Sequence, residues 1–192
     1  MSRWEPNARD RLERAALELF DEQGFAETTV PQITARAGLT TRTFFRHFSD
    51  KREVLFGGEV DVPSLAARMI TEAPAFLTPL QIIAGGFDAV AAAQFTGGME
   101  RFVARKKIIE QDAGLREREL QKQAALSDAI QQSFRDRGVD DLTAALVAHT
   151  TVTVFSVSIG RWMSLGGETP LPDLLRETLD SLRSIMVEPV WP

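Results

Sequence analysis

Apolar positions along this chain recur at intervals of three and four, and strand signals are nearly absent. Leu12, Ala15, Ala16, Leu19 and Phe20 form one helical stripe. Pro6 and Asn7 suit its entry, and Gly24 suits a left-handed residue past its end, with Phe25 as the apolar contact that follows. Thr29-Val30-Pro31-Gln32 has the form of a capping box, with proline in the first turn where its missing N–H costs nothing. The helix it opens is short, because Gly38 follows soon after, and Val30, Ile33 and Ala37 make its inner face. Gly38-Leu39-Thr40 reads as a tight turn, and Thr40 caps a third helix over residues 41–48. Phe44 and Phe48 face its core, with Phe45 beside them, while Thr41, Arg42 and Arg46 point elsewhere. Two short helices joined by a glycine turn make a helix-turn-helix, whose second member presents its first residues to a major groove. Asp50 caps a fourth helix. Lys51 lies in its first turn, where its charge opposes the helix dipole and where a phosphate contact would account for it.

The remaining residues, 57–192, also read as helices. Gly57-Gly58 and Pro63 interrupt the fourth helix, which marks the expected joint between head and body. Helices are expected over residues 80–95, loosened by Gly85-Gly86, then over 100–111, 115–137, 141–165 and 172–186. The last carries Leu171, Leu174, Leu175, Thr178, Leu179, Leu182, Ile185 and Met186 on one stripe. Residues 142–160 hold no Asp, Glu, Lys or Arg. That is about the length of a membrane span. Seven of them are polar, however, which favours a helix packed against protein on several sides. One of its faces is large and apolar (Ala145, Ala148, Val152, Phe155, Ile159, Trp162), and a second is built of smaller residues (Leu146, His149, Thr153, Ser156, Gly160). One face serves the domain core and the other admits a second helix.

Composition narrows the function. The 192 residues are 44% hydrophobic and 26% charged, which fits a folded chain. There is no cysteine, which removes disulfides, thiol nucleophiles and zinc ribbons and fits a reducing cytoplasm. No signal-peptide pattern opens the chain. The net charge of −5 is unevenly placed. Residues 1–56 carry nine basic and nine acidic side chains, and within them residues 36–52 hold Arg36, Arg42, Arg46, Lys51 and Arg52 against Asp50 alone. A local patch, rather than the total, meets phosphates. Only His47 and His149 are histidines, and no metal pair, phosphate-cradling glycine loop or nucleophile motif is present. The expectation is therefore a non-enzyme without cofactor or metal.

The run TTVPQITARAGLTTRTFFRHFSDKREVLF, with the helix before it, resembles the DNA-binding region of the tetracycline-repressor (TetR) family over residues 8–56. The resemblance implies an all-α protein. It would have a helix-turn-helix head at 1–56 and a helical ligand-sensing and dimerisation domain at 57–192. It implies that Thr41 and Arg42 touch bases, and that Thr29, Thr40, Thr43, His47 and Lys51 hold phosphates. For Thr40 a simple helix cap is an equal alternative, and His47 also suits a partly buried ring. Arg46 suits either a phosphate contact or an ion pair within the protein. Two positions depart from the family. Phe45 stands where a tyrosine hydroxyl often bonds a phosphate, and Thr34 stands at a small position between the two helices, where it either widens the packing or bonds back to the chain.

The same resemblance implies a homodimer through the last two helices, placing His149, Thr153, Ser156, Gly160, Leu175, Leu179 and Leu182 at the interface. It implies a double-stranded DNA operator, release by a small apolar or amphipathic effector, and no membrane partner. Phe76, Phe87, Phe95, Met99, Phe102, Arg105, Phe134 and Trp162 are the candidate pocket residues, and each of them but Arg105 is also at home in an ordinary core. Arg101, Arg105, Lys106 and Lys107 either greet an anionic ligand or solvate a helix, and LREREL faintly resembles family members whose sensors accept acyl-CoA-like molecules. A helical interaction protein with weakened DNA binding is the alternative reading.

Overall fold

In the computed structural model the described residues are 7–56, 61–94 and 98–187. Among them there are ten helices and no strand. They are α1 (Ala8–Gln23), α2 (Val30–Ala37), α3 (Thr41–His47), α4 (Glu53–Phe56), α5 (Val62–Glu72), α6 (Pro79–Gln94), α7 (Gly98–Gln111), α8 (Ala113–Asp136), α9 (Asp141–Ser164) and α10 (Leu171–Val187). The chain divides into two compact units. The first joins Met1–Gly57 to Glu100–Glu119, and the second holds Gly58–Met99 and Leu120–Pro192. The expected head thus gains a segment distant in sequence. Ile108, Ile109 and Leu115 are buried in one cluster with Leu12, Phe20, Ile33, Phe44 and Leu55.

In the first unit, local chemistry sets each boundary. The α1 stripe Leu12, Ala15, Ala16, Leu19 and Phe20 is buried, and Gly24 follows at φ 85° with Phe25 against Phe20. The Thr29–Gln32 capping box forms in full at the start of α2. Gly38 ends α2 in the left-handed region at φ 65°. The positive φ favours glycine, and a Cβ there would also stand 3.0 Å from Arg11 Nη2, a tight contact. Thr34 is buried, and its hydroxyl donates back to the Pro31 carbonyl at 3.0 Å. Asp50 accepts from the backbone of Arg52 and Glu53 and so starts α4.

In the second unit, Pro63 lies in the first turn of α5, where a proline opens a helix instead of kinking one, and Gly57-Gly58 lies outside the described residues. Arg137 closes the far end of α5, donating to the carbonyls of Ile70, Ala73 and Pro74. Asp140 caps α9, and α9 packs chiefly on α10. The buried stripe of α9 differs from the expected one. It runs Ala144, Val147, Ala148, Thr151, Val154, Ser158 and Trp162, while Ala145, Val152, Phe155 and Ile159 are only half-buried. Two hydroxyls can sit inside because both are satisfied: Thr151 donates to the Val147 carbonyl at 2.7 Å, and Ser158 bonds the Thr178 hydroxyl at 2.9 Å. The most apolar window of α9 has a mean hydropathy of 1.6, long and apolar enough by composition to cross a membrane, and a third of that window is buried inside the unit.

Candidate nucleic-acid interface and apolar cavity

Helix α3 is anchored by its aromatic side. Phe44 and Phe48 are buried with their rings 5.3 Å apart, and Phe45 packs edge-on against Phe44 while staying 59% exposed. At one hundred degrees per residue, burying 44 and 48 turns Arg42 and Arg46 to the opposite side. Thr41, Arg42 and Arg46 are exposed accordingly. Thr40 caps the helix, accepting from the Thr43 backbone at 3.1 Å and sharing a hydroxyl bond with the Thr43 side chain. Thr29 is exposed at the start of α2, with its hydroxyl on Gln32 Oε1.

The basic patch is smaller in space than in sequence. Arg36 is taken by Glu22 at 2.8 Å and Glu18 at 3.5 Å, its guanidinium held above its usual basicity by that pairing. Arg9 pairs with Glu13, and Arg11 donates to the Ala37 carbonyl at 2.6 Å, so these two serve the fold. Lys51 departs from expectation most. Its ammonium donates to the carbonyls of Phe25, Ala26 and Thr28 at 2.7, 3.1 and 2.8 Å and lies over the Phe25 ring. In the free protein all three N–H groups are spent on the α1–α2 connection, and these loop carbonyls account for its place at the start of α4. Burial pushes its pKa down. Arg42, by contrast, has no ion pair among the described residues, and Arg46 touches only the His47 ring, at 3.4 Å. His47 is half-buried, and burial, with the charges of Arg46 and Arg9, pushes its pKa down, so the ring is neutral near pH 7.

Helix α7 supplies a second layer of polar ties within the first unit. Arg101 bridges Asp10 and Glu13, and Lys107 pairs with Asp21. Lys106 pairs with Glu119, and Arg105 lies over the Phe102 ring with its pKa lowered by burial. Burial also raises the Glu13 pKa, against the pull of Arg9 and Arg101. The four basic residues proposed for an anionic ligand are therefore held among the first unit's own side chains.

The second unit contains a cavity of about 40 Å³. Helix α5 contributes Val62, Ala66, Met69 and Ile70, and α6 contributes Ile82, Ile83, Gly86 and Phe87. Leu126 and Ile130 of α8, with Thr151 and Phe155 of α9, complete it. Of the expected pocket residues only Phe87 lines it. Phe76 is 84% exposed, Phe134 and Trp162 are core residues elsewhere, and Phe95 lies outside the described residues. Met99 is half-buried away from the lining, while Phe102 and Arg105 belong to the first unit. The aliphatic lining of α5 and α6 was missed because aromatic size had been the selection rule; paired Gly85-Gly86 inside an apolar helix was the available signal.

Leu142, Leu146, His149, Thr153, Ser156, Val157 and Gly160 form an exposed stripe on α9, opposite its buried one. Ile185 and Met186 are exposed on α10 and Leu182 is half-buried. Leu175 and Leu179 are instead fully inside the unit, at 0% and 2% exposure, and leave the expected interface set.

Residues 13–56 match the model of the bacterial regulatory proteins, tetR family. Over 189 residues the chain is 34% identical to the HTH-type transcriptional regulator TcmR of Streptomyces glaucescens, covering 91% of this chain and 82% of the relative. The chain belongs to the TetR family of transcriptional regulators. The TetR fold is shared with solved structures of low identity. FadR of Thermus thermophilus, in complex with lauroyl-CoA, superimposes with a TM-score of 0.56 at 20% identity, covering 96% of this chain and 97% of that one. SmeT in its triclosan complex gives 0.57 at 21% identity, covering 91% and 90%. As a TetR-family regulator the protein is a DNA-binding transcription factor with the all-α head and helical body expected from its sequence.

Proposed function

We propose that this regulator binds a near-palindromic operator as a homodimer, represses from it, and is released by a small molecule lodged in the second unit. The observation that carries the DNA reading is the outward Arg42, without an ion pair among the described residues, beside Thr41 on a helix held by buried Phe44 and Phe48. Arg42 reads a guanine with two hydrogen bonds, Thr41 contacts a neighbouring base, and Thr29, Thr43, Arg46 and His47 hold the backbone. Thr40 caps the helix, and Lys51 stiffens the connection leading to it. Copies of the exposed α9 stripe and the α10 end meet about a two-fold axis and set two heads roughly one helical turn, about 34–36 Å, apart. In the complexes named above, FadR holds lauroyl-CoA and SmeT holds triclosan, which supports a small-molecule effector here.

Selection of bound duplexes from a random pool tests the first part: two-fold sites, with affinity falling steeply as salt rises, are expected. Arg42→Ala relaxes base choice at one position per half-site by about 1–3 kcal/mol. Enrichment of no common sequence sinks the operator reading. Sedimentation tests the second part: Leu146→Glu, on the exposed stripe, shifts the protein toward monomer, and an unchanged mass rejects this interface.

A further inference from the structure

We infer that the effector is an uncharged, predominantly apolar molecule that enters the cavity whole, and that the Met69 side chain is the part it displaces. The inference rests on the effector-responsive reading above and names the ligand class of that same cavity.

Among the described residues, the cavity wall contains no ionisable side chain. Its one hydroxyl, on Thr151, already donates to the Val147 carbonyl. An anion or cation placed there would lose its hydration and find no counter-charge, so charge is excluded by desolvation. A basic residue beside the wall would change this, but Arg101, Lys106 and Lys107 are ion-paired within the first unit, and Arg105 is held over Phe102 there. Arg137 is engaged with the carbonyls at the end of α5. A coenzyme A headgroup, with its phosphates, thus meets no receptor among these side chains.

At about 40 Å³ the cavity holds roughly two or three waters, well short of a drug-sized guest. Room has to come from a side chain that moves. Gly86 and Met69 supply it. A Cβ at Gly86 would stand 2.7 Å from Met69 Cε, so the thioether end occupies the notch the glycine leaves. Methionine is unbranched with three rotatable bonds, and it exchanges one apolar contact for another at little cost. The branched Ile82, Ile83 and Ile130 on the same wall are stiff at χ1 and keep its shape.

The test uses two probes that share one arene: N-phenyl-1-naphthylamine, which is uncharged, and 8-anilinonaphthalene-1-sulfonate, which is anionic, with lauroyl-CoA as a third. Fluorescence titration of the full-length protein is expected to show saturable binding of the amine. Binding of the sulfonate, and competition by lauroyl-CoA, should be weaker by roughly tenfold or more. Met69→Ala strengthens amine binding and Gly86→Ala, which drives Met69 into the cavity, weakens it, each by about fivefold. Circular dichroism of both variants reports folding separately. Equal or tighter binding of either anion overturns the inference, as does failure of the amine to bind or indifference of its affinity to both variants. Operator affinity measured with the probes separates the two claims. Amine binding with the expected preference but no effect on the operator leaves the ligand class standing and removes the effector-responsive reading. Release by lauroyl-CoA does the opposite.

Discussion

The two units of this protein are held together by different chemistry. In the first, side chains reach back to the main chain at every turn: Arg11 to Ala37, Lys51 to Phe25, Ala26 and Thr28, and Thr29 and Gln32 to each other. In the second, side-chain bonds to the main chain gather at helix ends, as with Arg137 at the end of α5, while the helices around the cavity meet mainly through apolar side chains, with a glycine filled by a methionine. Hydrogen bonds to backbone are directional and lock one geometry, as a surface that reads base edges requires. Apolar contacts are non-directional and can be exchanged for those of a guest. The basic residues of α7 belong to the first pattern, since Arg101 and Lys107 are spent on ion pairs that secure the first unit.

Breaking the anchor of α3 should have the largest effect. Phe44→Ala, at a fully buried ring, is expected to cost about 3–5 kcal/mol and to abolish operator binding. Chemical denaturation followed by circular dichroism should show an early transition for the first unit, with the second unit's transition in place. A single transition that moves as a whole would erase the contrast between the units.

Lys51→Met keeps the stem and removes the donors. Loss of charged hydrogen bonds to three carbonyls is worth about 1.5–3 kcal/mol, toward the lower figure because Lys51 is partly exposed. Stability of the first unit and affinity for every duplex should fall together. Unchanged stability with reduced affinity would return Lys51 to the phosphate contacts.

Phe45→Tyr restores a hydroxyl on an exposed ring beside the reading face. Operator affinity is expected to rise by about 0.5–1.5 kcal/mol per half-site, without a change in melting temperature. No gain would place residue 45 away from the backbone of the duplex.

The smallest effect concerns pH. The His47 pKa is depressed in the free protein by burial and by Arg46 and Arg9, so the ring is neutral until pH falls below the ordinary histidine value of about 6.5. A phosphate beside it stabilises the protonated form and raises the pKa in the complex. The complex then binds more protons than the free protein, and affinity rises as pH falls from about 7 toward 5.5. Titrations across that window should show the slope in the wild type and a flat line for His47→Gln.

Legibility differed between the units for a physical reason. Thr29, Gly38, Thr40 and Asp50 each act within one helical turn, and the structure places all four as read. Helix α9 was misphased, with Thr151 and Ser158 inside where Val152 and Ile159 had been expected, because an uncharged helix has no polar face to orient it. The α10 stripe was correct in composition, yet only its first part, through Leu179, is buried. Lys51 was recognised as anomalous at the start of α4, but its partners lie more than twenty residues away and nothing local names them.

What the amino-acid order determined alone is the helices other than α5, with the caps and turns of the first unit and the outward residues of α3, since these depend on neighbours three or four positions apart. Helix α5 was not legible as a helix of its own, because Pro63 reads locally as an interruption and in fact opens one. The tertiary structure decided which cations remain free, which face of α9 is inside, that Glu100–Glu119 joins the first unit, and where the cavity lies. Those outcomes depend on desolvation and pairing between segments remote in the chain, which a local pattern does not encode.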